Sequence, residues 1–318
     1  MQEPYYKGQT LDDVLRLVVE GIQAYGDQIS PTKGACKELT GVLIELTNPR
    51  ARLSRTETRG KPFSCLGELC WYLAKDNDLN FISYYIPNYR KFADDNIIYG
   101  GYGPRLFNWN GINQVENIIG ILKKKPDSRK AVIQIFEAED ITQEHNDTPC
   151  TCTMQFMIRQ DKLHMFTSMR SNDVVIGLPH DIFCFTMLQE IIARTLDVEL
   201  GIYKHFVGSL HIYDDDKDAA QQFLNEGWQS TDLPMPAMPV GNPWPNIKVL
   251  LQAESALREK SSEGTEGTIG LDPYWADLIR LLRVIRCSKD DDIDQIREIS
   301  KMMSSNVYYP FIRAKAKI

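Results

Sequence analysis

Between Thr148 and Tyr213 the chain sets out, in one direction, a cysteine in a Thr-Pro-Cys turn (148–150), an Arg-Ser pair in MRSND (169–173), a Gly-Leu-Pro-His-Asp turn (177–181) and a His-x-Tyr ending in GSLHIY (208–213). Each has a separate chemical use. A thiolate at Cys150 can add to an activated double bond. Arg170 and Ser171 can hold a phosphate through charge-assisted donors. A carboxylate at Asp181 can read a polar ring edge. His211 and Tyr213 stand on alternate positions of an expected strand, so both face one side and can hold a sugar hydroxyl. Taken singly, each has a bland reading: a small buried thiol, surface residues at a strand end, a helix cap at Asp181, a satisfied His/Tyr core pair. Their order and spacing favour chemistry.

The elements that must position them follow from periodicity. Apolar residues at helical spacing predict helices over 11–26, 64–76, 113–125 and 182–196, the last almost wholly apolar and therefore central and buried. β-Branched and alternating runs predict strands at 39–47, 130–136, 151–160, 162–170 and 202–213, with a hairpin at Gln160-Asp161. Glu68 falls among Leu66, Leu69, Trp71 and Leu73; a carboxylate there is costly unless it is paired or used. STDLPMPAMPVGNPWP (230–245) reads as a loop or linker, and three helices follow it, with SSEGTEGTIG (261–270) as a surface loop.

Together with GELCWYL (67–73), GYGPRLFNW (101–109) and PDSRKAVI (126–133), these motifs resemble the thymidylate synthase family of synthases and pyrimidine hydroxymethylases, over roughly residues 10 to 225. The resemblance implies an α/β (α+β) fold with a large mixed sheet and a buried central helix. Residues 1–228 would form the catalytic domain and 229–318 a Pro-rich linker with a helical C-terminal extension. It implies addition of the Cys150 thiolate to C6 of a pyrimidine, helped by Arg170, with Glu68 shuttling protons through water. It places the phosphate on Arg170 and Ser171, the sugar hydroxyl on His211 and Tyr213, and Tyr102 in the substrate loop. Arg129 and Lys130 match an arginine pair that reaches the partner's phosphate in a homodimer with shared active sites, and Lys33 stands near a further phosphate arginine. The co-substrate would be 5,10-methylenetetrahydrofolate, leaving as tetrahydrofolate, with Asp173 on the pterin and Tyr89 and Phe92 in place of lining tryptophans. No metal is implied.

Departures from the family pattern narrow the reading. Asp181 stands where synthases carry Asn; a carboxylate only accepts hydrogen bonds unless protonated, which suits the amino group of cytosine and opposes the O4 of uracil. In the family this exchange marks the deoxycytidylate hydroxymethylases. Thr151 replaces a His, Ser209 replaces an Asp, and YYPFIRAKAKI does not resemble the family's closing segment, which leaves water freer to attack. The expectation is C5 hydroxymethylation of dCMP or CMP. The alternatives are a thymidylate synthase acting on dUMP and a non-catalytic nucleotide- or RNA-binding paralogue.

Composition fits such an enzyme. A net charge of −7 argues against a protein that coats nucleic acid. Seven cysteines without a C-x-x-C pair, no secretion signal at MQEPYYKGQT and no apolar run of about 18 residues predict reduced thiols, a cytoplasmic setting and no membrane span.

Overall fold

The computed structural model describes residues 4–261 and 270–316. In its N-terminal half, strand β1 (Tyr5–Gly8) leads to helix α1 (Leu11–Tyr25), whose start is closed by a Thr10/Asp13 capping box. Strands β2 (Asp27–Ile29) and β3 (Cys36–Leu46) follow, then helices α2 (Pro62–Leu73), α3 (Leu79–Tyr85), α4 (Tyr102–Phe107) and α5 (Gln114–Lys124). The second half runs β4 (Val132–Gln134), β5 (Thr151–Arg159), β6 (Lys162–Asp173), α6 (Gly177–Thr195), β7 (Glu199–Tyr213) and α7 (Lys217–Asn225). It ends in α8 (Trp244–Glu259), α9 (Pro273–Lys289), α10 (Ile293–Met302) and α11 (Tyr309–Ala316).

The seven strands form one mixed sheet in the order β1-β3-β7-β6-β5-β4, with β2 on β3. β5 and β6 are antiparallel and joined at Gln160-Asp161, where φ values of 52° and 56° give the left-handed pair that a two-residue hairpin turn requires. β6 and β7 are parallel, so a crossover must join them, and α6 supplies it. α6 is buried along nearly its whole length. It starts five residues earlier than the apolar pattern predicts: GLP reads as a turn, yet Pro179 sits in the first helical turn, where a missing N–H costs nothing. The strand expected at 130–136 shortens to Val132–Gln134, because Ile135 and Phe136 both direct their N–H at the Cys152 carbonyl (2.9 and 3.2 Å) and end the regular ladder.

Buried charge ties the Pro-rich stretch to this core. Glu190 on α6 accepts from Arg50 Nε at 2.7 Å, from Arg52 and from the Met238 amide at 3.1 Å, while Arg194 Nε donates to the Met238 carbonyl at 2.8 Å. The segment 230–243 is thus a loop, as expected, but one stapled to α6. The three helices expected beyond it are α8, α9 and α10. The proposed surface loop lies outside the described residues over 262–269. Among the described residues no helix is long and apolar enough to cross a membrane.

α2 is apolar on every side because it packs against α6, α3, α4, α8 and α9. Tyr85 of α3 lies against Gly67, and its hydroxyl donates to the buried Glu254 of α8 at 2.8 Å. The C-terminal helices therefore brace the helix that carries Glu68. A Cβ at Gly67 would come 2.1 Å from the Tyr85 ring. Gly67→Ala is expected to lower unfolding free energy by about 1–3 kcal/mol through overpacking. Gly120→Ala, in open space on α5, should change it by less than about 1 kcal/mol or raise it. Chemical denaturation of both variants checks this.

Candidate active site

A cavity of about 510 Å³ opens where the ends of β6 and β7 meet the start of α6 and one face of α2, closed on the far side by the 86–102 segment. Its walls bring together Cys150, Glu68, Arg170, Ser171, Asp173, Asp181, His211, Tyr213, Tyr102, Tyr89, Phe92 and Lys33, twelve of the residues expected from sequence. Arg129 and Lys130 are not among its lining. Both are exposed, just ahead of the edge strand β4.

Cys150 ends the turn leading into β5. The Arg170 amide donates to the Cys150 carbonyl at 2.8 Å; its Nε donates to the Pro149 carbonyl at 3.0 Å, and Nη2 donates to the Thr148 carbonyl and hydroxyl at 3.0 and 3.1 Å. One arginine therefore splints the whole turn beneath the sulfur. Burial dominates and pushes the Cys150 thiol up to about 11, while the Arg170 charge acts in the opposite direction, toward the thiolate. Without a ligand the sulfur is protonated at neutral pH.

Glu68 is 4% exposed. Its Oε1 accepts from the hydroxyls of Tyr72 (3.0 Å) and Tyr89 (2.6 Å), while the buried Oε2 has no partner. Tyr72 lies one helical turn from Glu68, so its role was readable from the i, i+4 spacing. Tyr89 comes from the separate segment at 87–91 and packs edge-on against Trp71 and Phe92. Its hydroxyl serves the carboxylate, so Tyr89 does more than line a wall.

Asp181 lies within α6, whose helix starts at Gly177, and so caps nothing. Its Oδ2 accepts from Asn172 Nδ2 at 2.8 Å. Burial first, and then the neighbouring charge of Glu68, hold its carboxyl well above the ordinary range. The turn that enters α6 is instead braced by Asp173, whose carboxylate accepts from the amides of Val175, Ile176 and Gly177 at 2.8–3.0 Å. Asp173 borders the cavity with its oxygens committed to that turn.

Thr151 meets Tyr102, its amide and hydroxyl lying 3.2 and 3.1 Å from the phenol oxygen. His211 and Tyr213 share a face as expected and pack edge to face at 4.8 Å; burial raises the Tyr213 phenol to about 12. Ser209 bonds Glu38. Lys33 sits over the Phe92 ring at 4.4 Å and pairs with Asp147 at 3.7 Å. Among the histidines, His180 lines the cavity and bonds Ser64 at 2.9 Å, and the fully buried His205 bonds Asn172 at 3.1 Å. No group of three metal-ligating side chains occurs among the described residues.

Residues 36–248 match the thymidylate synthase family, starting later and running further than the motifs alone indicate. Similar curated proteins include a deoxyuridylate hydroxymethyltransferase of Bacillus phage SP01, 32% identical over 222 residues (65% of this chain, 57% of that protein). Proteins of the same name in Pseudomonas phage M6 and Delftia phage PhiW-14 are 31% and 27% identical, covering 50% and 65% of this chain and 46% and 61% of those proteins. The chain thus spans about half the length of the curated relatives it matches.

A thiol with its pKa near 11 should be alkylated slowly at neutral pH. Followed by peptide mass, iodoacetamide modification of Cys150 is expected to accelerate about tenfold per pH unit from 7 to 10. Arg170→Met, which removes a favourable charge, should slow it further at each pH. A plateau below pH 8 would contradict the dominance of burial.

Proposed function

Because the chain belongs to the thymidylate synthase family, we propose that it is a cytidylate 5-hydroxymethyltransferase acting on C5 of dCMP or CMP with 5,10-methylenetetrahydrofolate. The observation carrying this reading is Asp181, freed from capping and 9% exposed on the cavity wall, whose raised carboxyl can give its proton to N3 of cytosine and then accept from that N3–H and from the amino group. The aromatic wall of Trp71, Tyr89 and Phe92, beside Lys91, fits a planar pterin with an anionic tail. Bound there, the folate supplies the one-carbon unit.

The protein's own groups prepare the nucleotide. Arg170 and Ser171 take the phosphate; His211 and Tyr213 take the sugar hydroxyl. The Cys150 proton leaves through water toward the unpartnered Oε2 of Glu68, the sulfur bonds to C6, and the C5=C6 pair moves to C5, which becomes the nucleophile. After C5 has gained the one-carbon substituent and lost its hydrogen as a proton to solvent, the carrier would leave as tetrahydrofolate, a water oxygen would end on that carbon as the hydroxyl, and the C6–S bond breaks as the double bond returns. Tyr72 and Tyr89 keep Oε1 occupied, so proton traffic is confined to Oε2. A second reading, dUMP as substrate, is favoured by the names of the phage relatives. It requires Asp181 to bind as the neutral acid, donating to O4.

Tritium release from 5-tritiated CMP, dCMP and dUMP tests the reading. Release is expected from a cytosine nucleotide, lost in Cys150→Ala with nucleotide binding retained. Asp181→Asn should shift the cytosine-to-uracil preference by roughly tenfold to a hundredfold toward uracil, because a buried contact left unpaired costs about 1–3 kcal/mol. An unmoved preference would remove the support for cytosine.

The same reading includes a homodimer in which Arg129 and Lys130, exposed and absent from their own chain's cavity, reach the partner's phosphate. Mixing Cys150→Ala with Arg129→Ala subunits should then restore activity, since one site of each mixed dimer escapes both changes. No recovery despite proven subunit exchange would mean that each chain builds its phosphate site alone.

A further inference from the structure

Two cations line the cavity near the proposed phosphate position, and both are engaged by the protein itself. Arg170 gives Nε and Nη2 to the carbonyls of Pro149 and Thr148, which leaves Nη1 as its one uncommitted nitrogen. It cannot offer a two-pronged fork to a phosphate without loosening the turn under Cys150. The other cation, Lys33, stands on the turn between β2 and β3, closed by the Gly34 amide on the Pro31 carbonyl at 3.1 Å. A Cβ at Gly34 would lie 3.9 Å from the Tyr213 ring, so this turn borders the residue read as holding the sugar. Lys33 Nζ lies 4.4 Å above the Phe92 ring and 3.7 Å from Asp147 Oδ1, and so bridges two walls of the cavity.

Asp147 has no part in the proposed chemistry, yet it lines the same cavity three residues before the nucleophile. Its side chain is 19% exposed, and among the described residues Lys33 is its one ion-pair partner. Gly100 backs it closely: a Cβ there would come 2.4 Å from Oδ2. Burial raises the Asp147 carboxyl, while the charges of Lys33 and then Arg170 act to keep it ionised. We propose that Asp147 is a positioning residue that holds Lys33 until a nucleotide phosphate displaces it, so that carboxylate and phosphate compete for one ammonium group. The proposal rests on the phosphate docking at Arg170 and Ser171, as read above. With Arg170 largely committed, Lys33 is the cation that can move: its side chain is 47% exposed on a short turn, and its pairing with Asp147 is that of a weak, half-solvated bridge. A phosphate dianion carries more charge than a carboxylate and is the stronger partner for it. Asp147 therefore opposes phosphate binding twice, by direct repulsion and by retaining Lys33.

The test compares dissociation constants of dCMP and dUMP with those of deoxycytidine and deoxyuridine, by calorimetry on the full chain at one pH and salt concentration. Melting temperature checks folding. Asp147→Asn keeps the size and removes the charge; it is expected to tighten the better-bound monophosphate by roughly three- to tenfold and to leave its nucleoside within about twofold. Lys33→Met should weaken the monophosphate, and in that background Asp147→Asn should recover clearly less than it gains when Lys33 is present. Asp147→Ser, which also removes the charge, replaces the amide variant if that one does not fold. Weaker monophosphate binding in Asp147→Asn, an equal change for the nucleoside, or the same gain with and without Lys33 overturns the proposal. If the unaltered protein binds the monophosphate more tightly than the nucleoside but Asp147→Asn brings no gain, this inference alone fails. If it binds the monophosphate no more tightly than the nucleoside, the reading of Arg170 and Ser171 fails with it.

Discussion

Two carboxylates, Glu68 and Asp181, share one buried cavity, and the surrounding architecture answers that constraint. Burying like charges together is costly unless each is neutralised or supplied with donors. Two tyrosine hydroxyls from different segments converge on one oxygen of Glu68, and an amide reaches one oxygen of Asp181. Each carboxyl is left with a single oxygen uncommitted. The compensation is incomplete by design of the contacts, and that incompleteness gives the cavity its chemistry.

Holding those donors in place requires rigid neighbours. α2 is wedged between α6 and the C-terminal helices, and the Tyr85–Glu254 contact links the extension to the face beside Glu68. On the other side Glu190, with Arg50 and Arg52, anchors α6 and the Pro-rich loop. Removing one partner of such a buried pair costs about 3–5 kcal/mol, more than any surface contact here could offset. The extension and the loop are therefore part of what keeps the site in shape.

Much of the site was legible in the sequence because its residues sit in short motifs whose spacing survives folding. Cys150, Arg170, Asp181 and His211 fall where strand ends and one helix bring them to a single cavity. The sequence was less informative wherever a contact joins separate segments. Nothing in RSND marks Asn172 as the partner of both Asp181 and His205, and nothing in IPNYRK marks the Tyr89 hydroxyl as a donor to Glu68. The early start of α6 was hidden because the turn before it is held by Asp173 at the end of β6, outside the helix and before a Gly-Leu-Pro that resembles a turn. The high thiol pKa was hidden too, since burial is a property of the fold and the nearby arginine was the only factor in view.

The β5–β6 hairpin carries a consequence for how this protein comes into being. Its two-residue turn needs only neighbouring residues, and hairpins of this kind close in about 1–10 μs. Cys150 and Arg170 face each other at its open end, so the nucleophile and its splint assemble as soon as a local ribbon zips up. Asp181 and Glu68 must await the crossover through α6 and the docking of α2, which depend on contacts far apart along the chain. The contacts that set Cys150 beside Arg170 are therefore local to one ribbon, whereas those that bring the two carboxylates to the sulfur join distant parts of the chain, so a lesion in the hairpin turn and one in the α6 crossover would damage different halves of the same site.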